Sequence, residues 1–300
     1  MPKVVAVVGP TATGKSALGV ELAIALGGEV VNADSMQLYR GMDIGTAKLT
    51  TEERRGVPHH LLDVWPVSYP ASVAEYQRKA RSVVDALLGR GRLAVVVGGS
   101  GLYVRALLDR MEFPGTDVAL RARLEAELAE VGPQQLHERL QAQHPAAAAA
   151  ILATNGRRIV RALEVLELTG RPFSAGLPAY DGHYDDVVQI GLDLDDAALD
   201  ARVDERVERM FAAGLVEEVR SLEREGLRTG RTACRALAYQ QVLAMLDGRC
   251  TELEARQETA RATRRFVRRQ RSWFRRDPRI TWVDAAADLR EDALAAVGAN

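Results

Sequence analysis

A short glycine-containing motif near the start of the chain restricts the possible fold more than any other feature. Residues 9–16 read GPTATGKS and match the pattern G-x-x-x-x-G-K-[ST]. The motif follows an apolar run, VVAVV, and precedes a segment from about Lys15 to Leu26 that we predict to be helical. Because it lies between a predicted strand and a predicted helix, we interpret it as a phosphate-binding P-loop and not as an accidental glycine turn.

In a P-loop, successive backbone N–H groups and the helix N-terminus face the oxygens of a diphosphate or triphosphate. Lys15 adds a mobile positive charge, and the hydroxyl of Ser16 can ligate magnesium. The residues predicted to bind a diphosphate are those of the whole motif: Gly9, Pro10, Thr11, Ala12, Thr13, Gly14, Lys15 and Ser16.

The motif fits a bound nucleotide and a departing pyrophosphate equally well. A P-loop NTPase or kinase usually carries an acidic residue at the end of a second apolar strand, where it binds magnesium or its water. Here the strand predicted at residues 93–97, LAVVV, is followed by Gly98 and Gly99. This argues against ATP chemistry, and an ATP-dependent small-molecule kinase is kept as the alternative function.

The order of predicted elements indicates an α/β core that is interrupted by a helical insertion. Strands and helices alternate in the first hundred residues, which predicts a parallel sheet. Strand composition returns only at VVQIGLDL, residues 187–194, and at ITWV, residues 280–283. We therefore predict a P-loop NTPase-like core formed by residues 1–112 and 181–300, with an all-helical insertion at residues 113–180.

Composition limits the other possibilities. The formal net charge of the 300 residues is -1, yet residues 261–279 contain nine arginines and one acid, Asp277, which predicts a local basic surface. Cys234 and Cys250 show no metal-ligand or redox spacing, which indicates a reducing compartment. No apolar run approaches the roughly 18 residues of a membrane helix, so we expect a soluble, cytoplasmic protein without a membrane partner.

Several further segments occur in one order along the chain. NADSMQLYRGMDIGTAKL follows the second strand, and VPHHLLDV, GGSGLY, RRIVRALEV, GLVEEV and RRQRSWFRR come after it. Together with GPTATGKS these segments resemble tRNA dimethylallyltransferases over nearly the whole chain. The resemblance implies a P-loop core with a helical insertion that binds the tRNA anticodon stem-loop. It also implies a magnesium-dependent, monomeric enzyme.

The implied reaction moves a dimethylallyl group from dimethylallyl diphosphate to a tRNA and releases pyrophosphate. The acceptor would be the N6 amine of the adenosine on the 3′ side of the anticodon, in tRNAs that read codons starting with U. Asp34 follows a buried strand at the same sheet edge as the P-loop and is our candidate general base. The alternative is that Asp34 only caps the following turn.

An arginine after the insertion assists the leaving pyrophosphate in the family, and the resemblance places it at Arg202 or Arg206. For both residues the alternative is surface ion pairing on an acidic helix. The catalytic residues predicted are thus Lys15, Ser16, Asp34, Arg202 and Arg206, and the metal ligand is Ser16.

The resemblance also assigns contacts with tRNA. The predicted residues are Asp34, Ser35, Met36, Gln37, Ser100, Arg121, Arg157, Arg158 and Arg161. A generic surface arginine is the alternative at Arg121. In RRFVRRQRSWFRR, Phe266, Trp273 and Phe274 are either partners for stacked bases or core anchors.

One position departs from the family pattern. In ACRALAYQQ the family has glycine before the tyrosine, where this chain has Ala238. We expect this alanine to strengthen a helix and to prevent a close backbone approach.

Overall fold

The structure is a computed structural model that describes residues 2–171, 178–286 and 288–298. Its six-stranded sheet has the order β3-β2-β4-β1-β5-β6, and every neighbouring pair is parallel. The strands are β1 (Val4–Val8), β2 (Glu29–Asn32), β3 (His59–His60), β4 (Ala94–Val97), β5 (Val187–Asp193) and β6 (Ile280–Asp284). The central strands are continuously apolar because helices cover both faces of a parallel sheet. The predicted α/β fold is confirmed.

In the described part of the chain, helices separate most of these strands, but none lies between β2 and β3, and several follow one another before β5 and before β6. The helices are α1 (Lys15–Leu26), α2 (Val73–Gly89), α3 (Gly101–Leu108), α4 (Val118–Gln143), α5 (Pro145–Ala149), α6 (Gly156–Thr169), α7 (Asp196–Ala212), α8 (Leu215–Arg224), α9 (Tyr239–Leu246), α10 (Glu252–Phe274) and α11 (Leu289–Val297). Among the residues that the structure describes, no helix is long and apolar enough to cross a membrane.

The chain forms two compact units. Met1–Asp109 and Gly182–Asn300 make up the first unit, which contains the sheet, and Arg110–Asp181 makes up the second. The described part of the second unit contains α4, α5 and α6 and no strand, and residues 172–177 of the predicted insertion lie outside the described residues. Its small core is built around Leu124, Leu140 and Leu163.

The order of the strands brings three loops to one edge of the first unit. The P-loop follows β1, Gly98 and Gly99 follow β4, and Asp34 comes shortly after β2. Since β4 pairs with both β1 and β2, the three loops are neighbours at the carboxyl ends of parallel strands. Crevices at such ends are the usual ligand sites of open α/β sheets.

Ala238 lies before a helix and not inside one. It occupies the N-cap position of α9 with φ 71° and ψ -46°, and it is buried. The expectation that alanine strengthens a helix here is therefore wrong, because a positive φ favours glycine and strains any residue that carries a Cβ.

We expect the Ala238→Gly variant to be more stable than wild type by about 1 kcal/mol. Relief of strain of about 1–3 kcal/mol outweighs the extra chain entropy of glycine, about 0.5–1 kcal/mol. Urea unfolding measures the change. Ala236→Gly is the matched control, since Ala236 has an ordinary φ of -62° and its replacement should only destabilise. Equal losses in the two variants would contradict the strain at Ala238.

Candidate active site

The P-loop forms one wall of a cavity of about 690 Å³. Five of its residues line this cavity: Thr11, Ala12, Gly14, Lys15 and Ser16. Thr13 is buried, and its hydroxyl donates to the carbonyl oxygen of Pro10 at 2.9 Å, so it stabilises the loop from within. Gly9 passes so close to β5 that an added Cβ would lie 2.3 Å from the carbonyl oxygen of Leu192. The motif residues therefore divide into those that face the cavity and those that shape the loop.

A second cavity, of about 580 Å³, adjoins the first. Its walls carry large apolar side chains, namely Met36, Tyr103, Val207, Met210, Phe266 and Trp273. Lys15, Asp34 and Arg206 line both cavities. We call the first the polar cavity, because the P-loop and more charged side chains line it. We call the second the apolar cavity after its large apolar side chains, although Arg235 and Arg269 also line it. The residues shared by the two include one lysine, one carboxylate and one arginine.

The charge on Lys15 depends on what occupies the site. Burial lowers the pKa of the Lys15 ammonium to about 7; the positive charge of Arg206 acts in the same direction, and Asp34 opposes both. The amine donates a hydrogen bond to the carbonyl oxygen of Pro10. A bound polyanion would favour the ammonium form, so ligand binding and protonation of Lys15 are linked.

We expect pyrophosphate binding to be accompanied by proton uptake at Lys15 at pH 8. The free lysine is mostly neutral above pH 7 and becomes charged beside the ligand, so affinity should fall as the pH rises above about 7. Calorimetry of inorganic pyrophosphate, without magnesium and in two buffers of different ionisation enthalpy, measures the uptake. Lys15→Arg is the comparison because arginine stays charged, and it should take up fewer protons, by up to roughly one per site. Equal uptake would contradict the linkage.

Asp34 combines a contact in the turn with access to both cavities. Its Oδ1 accepts the N–H of Met36 at 2.9 Å, and its own N–H donates to Oδ1 of Asn32 at 2.9 Å. Asn32 fixes the turn further by donating to the carbonyl oxygens of Asp34 and Leu61, both at 3.0 Å. Asp34 therefore does cap the following turn, as the alternative interpretation expected. The same contact orients its carboxylate at the junction of the two cavities.

Arg206 and Arg202 lie one helical turn apart on α7, and both line the polar cavity. Of the two, only Arg206 also lines the apolar cavity, and its positive charge lowers the pKa of Lys15. Burial lowers the pKa of the Arg206 guanidinium below its usual range, and Asp34 opposes this effect. Arg202 instead donates to the carbonyl oxygen of Ala285 at 3.4 Å. The geometry therefore favours Arg206 as the arginine beside the reacting groups.

The two glycines after β4 let neighbouring backbone segments approach closely. A Cβ on Gly98 would lie 2.3 Å from the backbone carbon of Ala33, and one on Gly99 would lie 3.2 Å from the carbonyl oxygen of Gly9. A side chain at either position would therefore collide with the segment before Asp34 or with the start of the P-loop. The glycines allow the loops that carry Lys15 and Asp34 to pack closely against the end of β4.

The predicted tRNA-contacting stretch is held by its neighbours in the first unit. Ser100 accepts the N–H of Ser35 and donates to its hydroxyl, both at 3.1 Å. Gln37 lines the polar cavity, and its amide donates to the carbonyl oxygen of Thr46 at 3.1 Å. Ser35, Met36 and Ser100 line the apolar cavity. All four residues of the stretch, from Asp34 to Gln37, therefore adjoin the site, and so does Ser100.

The arginines predicted to bind tRNA in the second unit differ in their surroundings. Arg121 and Arg161 both bind Glu164, whose side chain is fully buried. Burial opposes ionisation of Glu164, but hydrogen bonds from the two guanidiniums outweigh it and hold its pKa below the usual range. Arg157 and Arg158 are exposed on α6. Arg121 and Arg161 thus have a structural role whether or not they also contact RNA.

We expect Arg121→Gln to destabilise the chain by about 2 kcal/mol or more, because it removes one partner of a buried carboxylate. Arg157→Gln, a matched change at an exposed position, should leave stability within about 0.5 kcal/mol. It should weaken tRNA binding, since Arg157 is predicted to contact a phosphate. Urea unfolding and tRNA titration distinguish the two effects. Equal stability of both variants would contradict the structural role of Arg121.

The arginines of α10 are largely engaged with acidic residues. Ion pairs within the first unit hold several of them: Arg264 with Asp204, Arg268 with Asp200, and Arg271 with Asp193. Arg275, directly after the helix, also pairs with Asp193. The aromatic residues of this segment separate into two groups. Phe274 is buried in the core, whereas Phe266 and Trp273 line the apolar cavity.

Two residues that hold the loops of the site in place were not predicted from the sequence. Gln270 of α10 bonds both the P-loop and the turn after β4. The carboxylate of Glu218 accepts the N–H groups of Asp43, Ile44 and Gly45 and also the hydroxyl of Tyr239. It thereby holds a loop that lines the polar cavity. Glu218 lies in GLVEEV, and that resemblance was the only signal for it.

Fold and site together define a P-loop α/β protein. A model of the IPP transferase family matches residues 37–277. The tRNA dimethylallyltransferase of Salinispora arenicola is 70% identical over 297 residues, which cover 99% of this chain and 86% of that protein. The chain therefore belongs to the IPP transferase family, and the resemblance drawn from the motifs is confirmed.

Solved structures agree with this membership. The full-length tRNA isopentenylpyrophosphate transferase of Bacillus halodurans is 40% identical with a TM-score of 0.72, covering 99% of this chain and 95% of that one. A eukaryotic dimethylallyltransferase, solved acting on tRNA, is 24% identical with a TM-score of 0.82, covering 96% of this chain and 75% of that one. At that identity the second likeness concerns the fold alone.

Proposed function

We propose that this protein transfers a dimethylallyl group from dimethylallyl diphosphate to the N6 amine of the adenosine 3′ of the anticodon, in tRNAs reading codons that start with U. Family membership supports the reaction class. The observation that carries the proposal is that Lys15, Asp34 and Arg206 meet at the junction of a polar and an apolar cavity. The polar cavity would hold the diphosphate, and the apolar one the base and the prenyl chain.

The reaction is a displacement at an allylic carbon. The adenine nitrogen forms a bond to the first carbon of the prenyl group, the bond from that carbon to the diphosphate oxygen breaks, and the bonding electrons leave with pyrophosphate. The nitrogen loses a proton, which the Asp34 carboxylate accepts. This help is needed because the lone pair of an exocyclic adenine amine is delocalised into the ring.

Stabilising the leaving group is the other requirement. Lys15, Arg206 and the N–H groups of the P-loop place positive charge and hydrogen-bond donors where negative charge grows. They are held in position before the reaction, since the loop is fixed from within by Thr13 and Arg206 donates to the carbonyl oxygen of Thr46 at 3.4 Å.

Magnesium belongs to the proposal, with Ser16 as its protein ligand. The residues fit such an ion, because the Ser16 hydroxyl and the Asp34 carboxylate line the same polar cavity. Within the part of the chain that the structure describes, no group of three or more His, Cys, Asp or Glu could hold a metal alone. This suits Mg²⁺, which keeps several waters and binds substrate phosphates. Bound there, it would neutralise charge on the departing pyrophosphate.

The partners proposed are the tRNA anticodon stem-loop and dimethylallyl diphosphate, and the protein is proposed to act as a cytoplasmic monomer. The free thiols Cys234 and Cys250 fit a reducing compartment. The kinase alternative has no support from the family or from the relatives named above.

Incubation with labelled dimethylallyl diphosphate and unmodified tRNA tests the proposal, with ATP supplied in a separate reaction. We expect label to appear in tRNA at the adenosine 3′ of the anticodon and ATP to stay intact. Consumption of ATP without labelled tRNA would overturn the assignment in favour of a kinase.

A further inference from the structure

A buried glutamine on α10 joins two loops of the site. Gln270 is 5% exposed. Its Oε1 accepts the N–H of Thr11 at 3.0 Å, and its Nε2 donates to the carbonyl oxygen of Gly99 at 2.9 Å. Thr11 lies in the P-loop, and Gly99 lies in the turn after β4. One side chain therefore bridges the two loops that flank the cavity junction.

The bridge requires one acceptor and one donor on the same side chain. An amide supplies both, whereas a carboxylate lacks the donor and an apolar side chain lacks both. The space is also closed, because a Cβ on Gly99 would lie 2.3 Å from Nε2 of Gln270. Removing the amide would leave the partly buried N–H of Thr11 and the buried carbonyl oxygen of Gly99 without this partner, which is unfavourable.

The same face of α10 forms a wall of the apolar cavity. Phe266, Gln270 and Trp273 are spaced four and three residues apart, and all three line that cavity. Side chains with this spacing share one face of a helix. The helix that borders the proposed base and prenyl site therefore also holds the P-loop.

We propose that Gln270 is a positioning residue that fixes the diphosphate cradle relative to the wall of the acceptor cavity. This inference rests on the proposed function. Its bond to Thr11 sets where the P-loop begins to curve around the phosphates, and its bond to Gly99 keeps that curve aligned with the turn before α3. Small displacements of bound reactants lower rates steeply, so both donor affinity and turnover depend on the bridge.

Gln270→Met tests the inference, because methionine has a similar length and forms neither hydrogen bond. We expect the dissociation constant of inorganic pyrophosphate to rise about tenfold, as loss of one net hydrogen bond of about 1.4 kcal/mol predicts. Turnover at saturating donor should fall as well, while the dissociation constant of unmodified tRNA changes less than about twofold.

Gln77→Met is the matched control. Gln77 is also a buried glutamine, and its Nε2 donates to the carbonyl oxygen of Ala106 at 2.8 Å, but it lines neither cavity. It should lose comparable thermal stability and keep the pyrophosphate affinity of wild type. Gln270→Glu is a second variant in case the methionine variant does not fold. It keeps the acceptor for Thr11, loses the donor to Gly99, and should still weaken pyrophosphate binding.

The outcomes distinguish the positioning role of Gln270 from the proposed function. Wild-type pyrophosphate affinity and turnover in folded Gln270 variants would overturn the positioning role. Equal loss of pyrophosphate affinity in the Gln77 variant would overturn it too, because the effect would then be one of stability alone. Failure of wild type to bind pyrophosphate would instead count against the diphosphate cradle itself, and hence against the proposed function.

Discussion

Asp34→Asn should slow prenyl transfer by two or more orders of magnitude, the range that loss of a general base produces. The asparagine Oδ1 can still accept the N–H of Met36, so the turn after β2 is preserved. Asparagine has no basic oxygen for the amine proton, and therefore only the chemical step suffers. Single-turnover measurements with labelled donor give the rate, and titration with tRNA should show little change in affinity.

Asp34→Ala distinguishes the role of Asp34 in the turn from its role as general base. It removes both the base and the bond to Met36, so it should be as inactive as the asparagine variant and also less stable. Near-normal turnover of Asp34→Asn would remove Asp34 as the base and leave it with the turn alone.

Arg206→Gln should lower kcat/KM about 100-fold, as removal of one preorganised donor to a developing anion does. The reason is its position, because Arg206 lines both cavities and its charge acts on Lys15. Arg202→Gln is the matched control one helical turn away. Its guanidinium donates to the carbonyl oxygen of Ala285. Its loss should lower kcat/KM less than about fivefold, as loss of one net hydrogen bond of about 1 kcal/mol predicts. Steady-state kinetics with varied donor give both values, and a larger effect at Arg202 would reverse the assignment.

The parts of the site that were predictable from the sequence are local ones. The P-loop is a contiguous motif whose glycines and lysine act through neighbouring backbone, and Asp34 follows an apolar strand that had to join the same sheet. Gly98 and Gly99 stood out in the sequence only because they occupy the place where a P-loop NTPase or kinase usually has an acidic residue. Their role in letting the loops that carry Lys15 and Asp34 pack together depends on β4 lying between β1 and β2, and the order of strands in a sheet cannot be read from their order in the chain.

Other features depended on contacts between distant segments. Gln270 contacts Thr11 across 259 positions of sequence, and nothing in RRQRSWFRR marks that glutamine as different from its neighbours. Arg121 looked like a surface arginine or an RNA contact because Glu164, its buried partner, is 43 positions away. The strain at Ala238 escaped prediction for another reason. A sequence gives residue types but not φ, and alanine is ordinarily a favourable helix residue.

The pairing of α10 with acidic side chains has a consequence for selectivity. Asp200 and Asp204 of α7 form ion pairs with Arg268 and Arg264, and an RNA phosphate would have to compete for these guanidiniums. An exposed pair of this kind is worth only about 0–1 kcal/mol, so a phosphate can displace the carboxylate. Under the proposed function, the two aspartates would compete with RNA phosphates for these arginines. We therefore expect an RNA that brings several phosphates to them at once to bind better than a polyanion of equal charge without that shape.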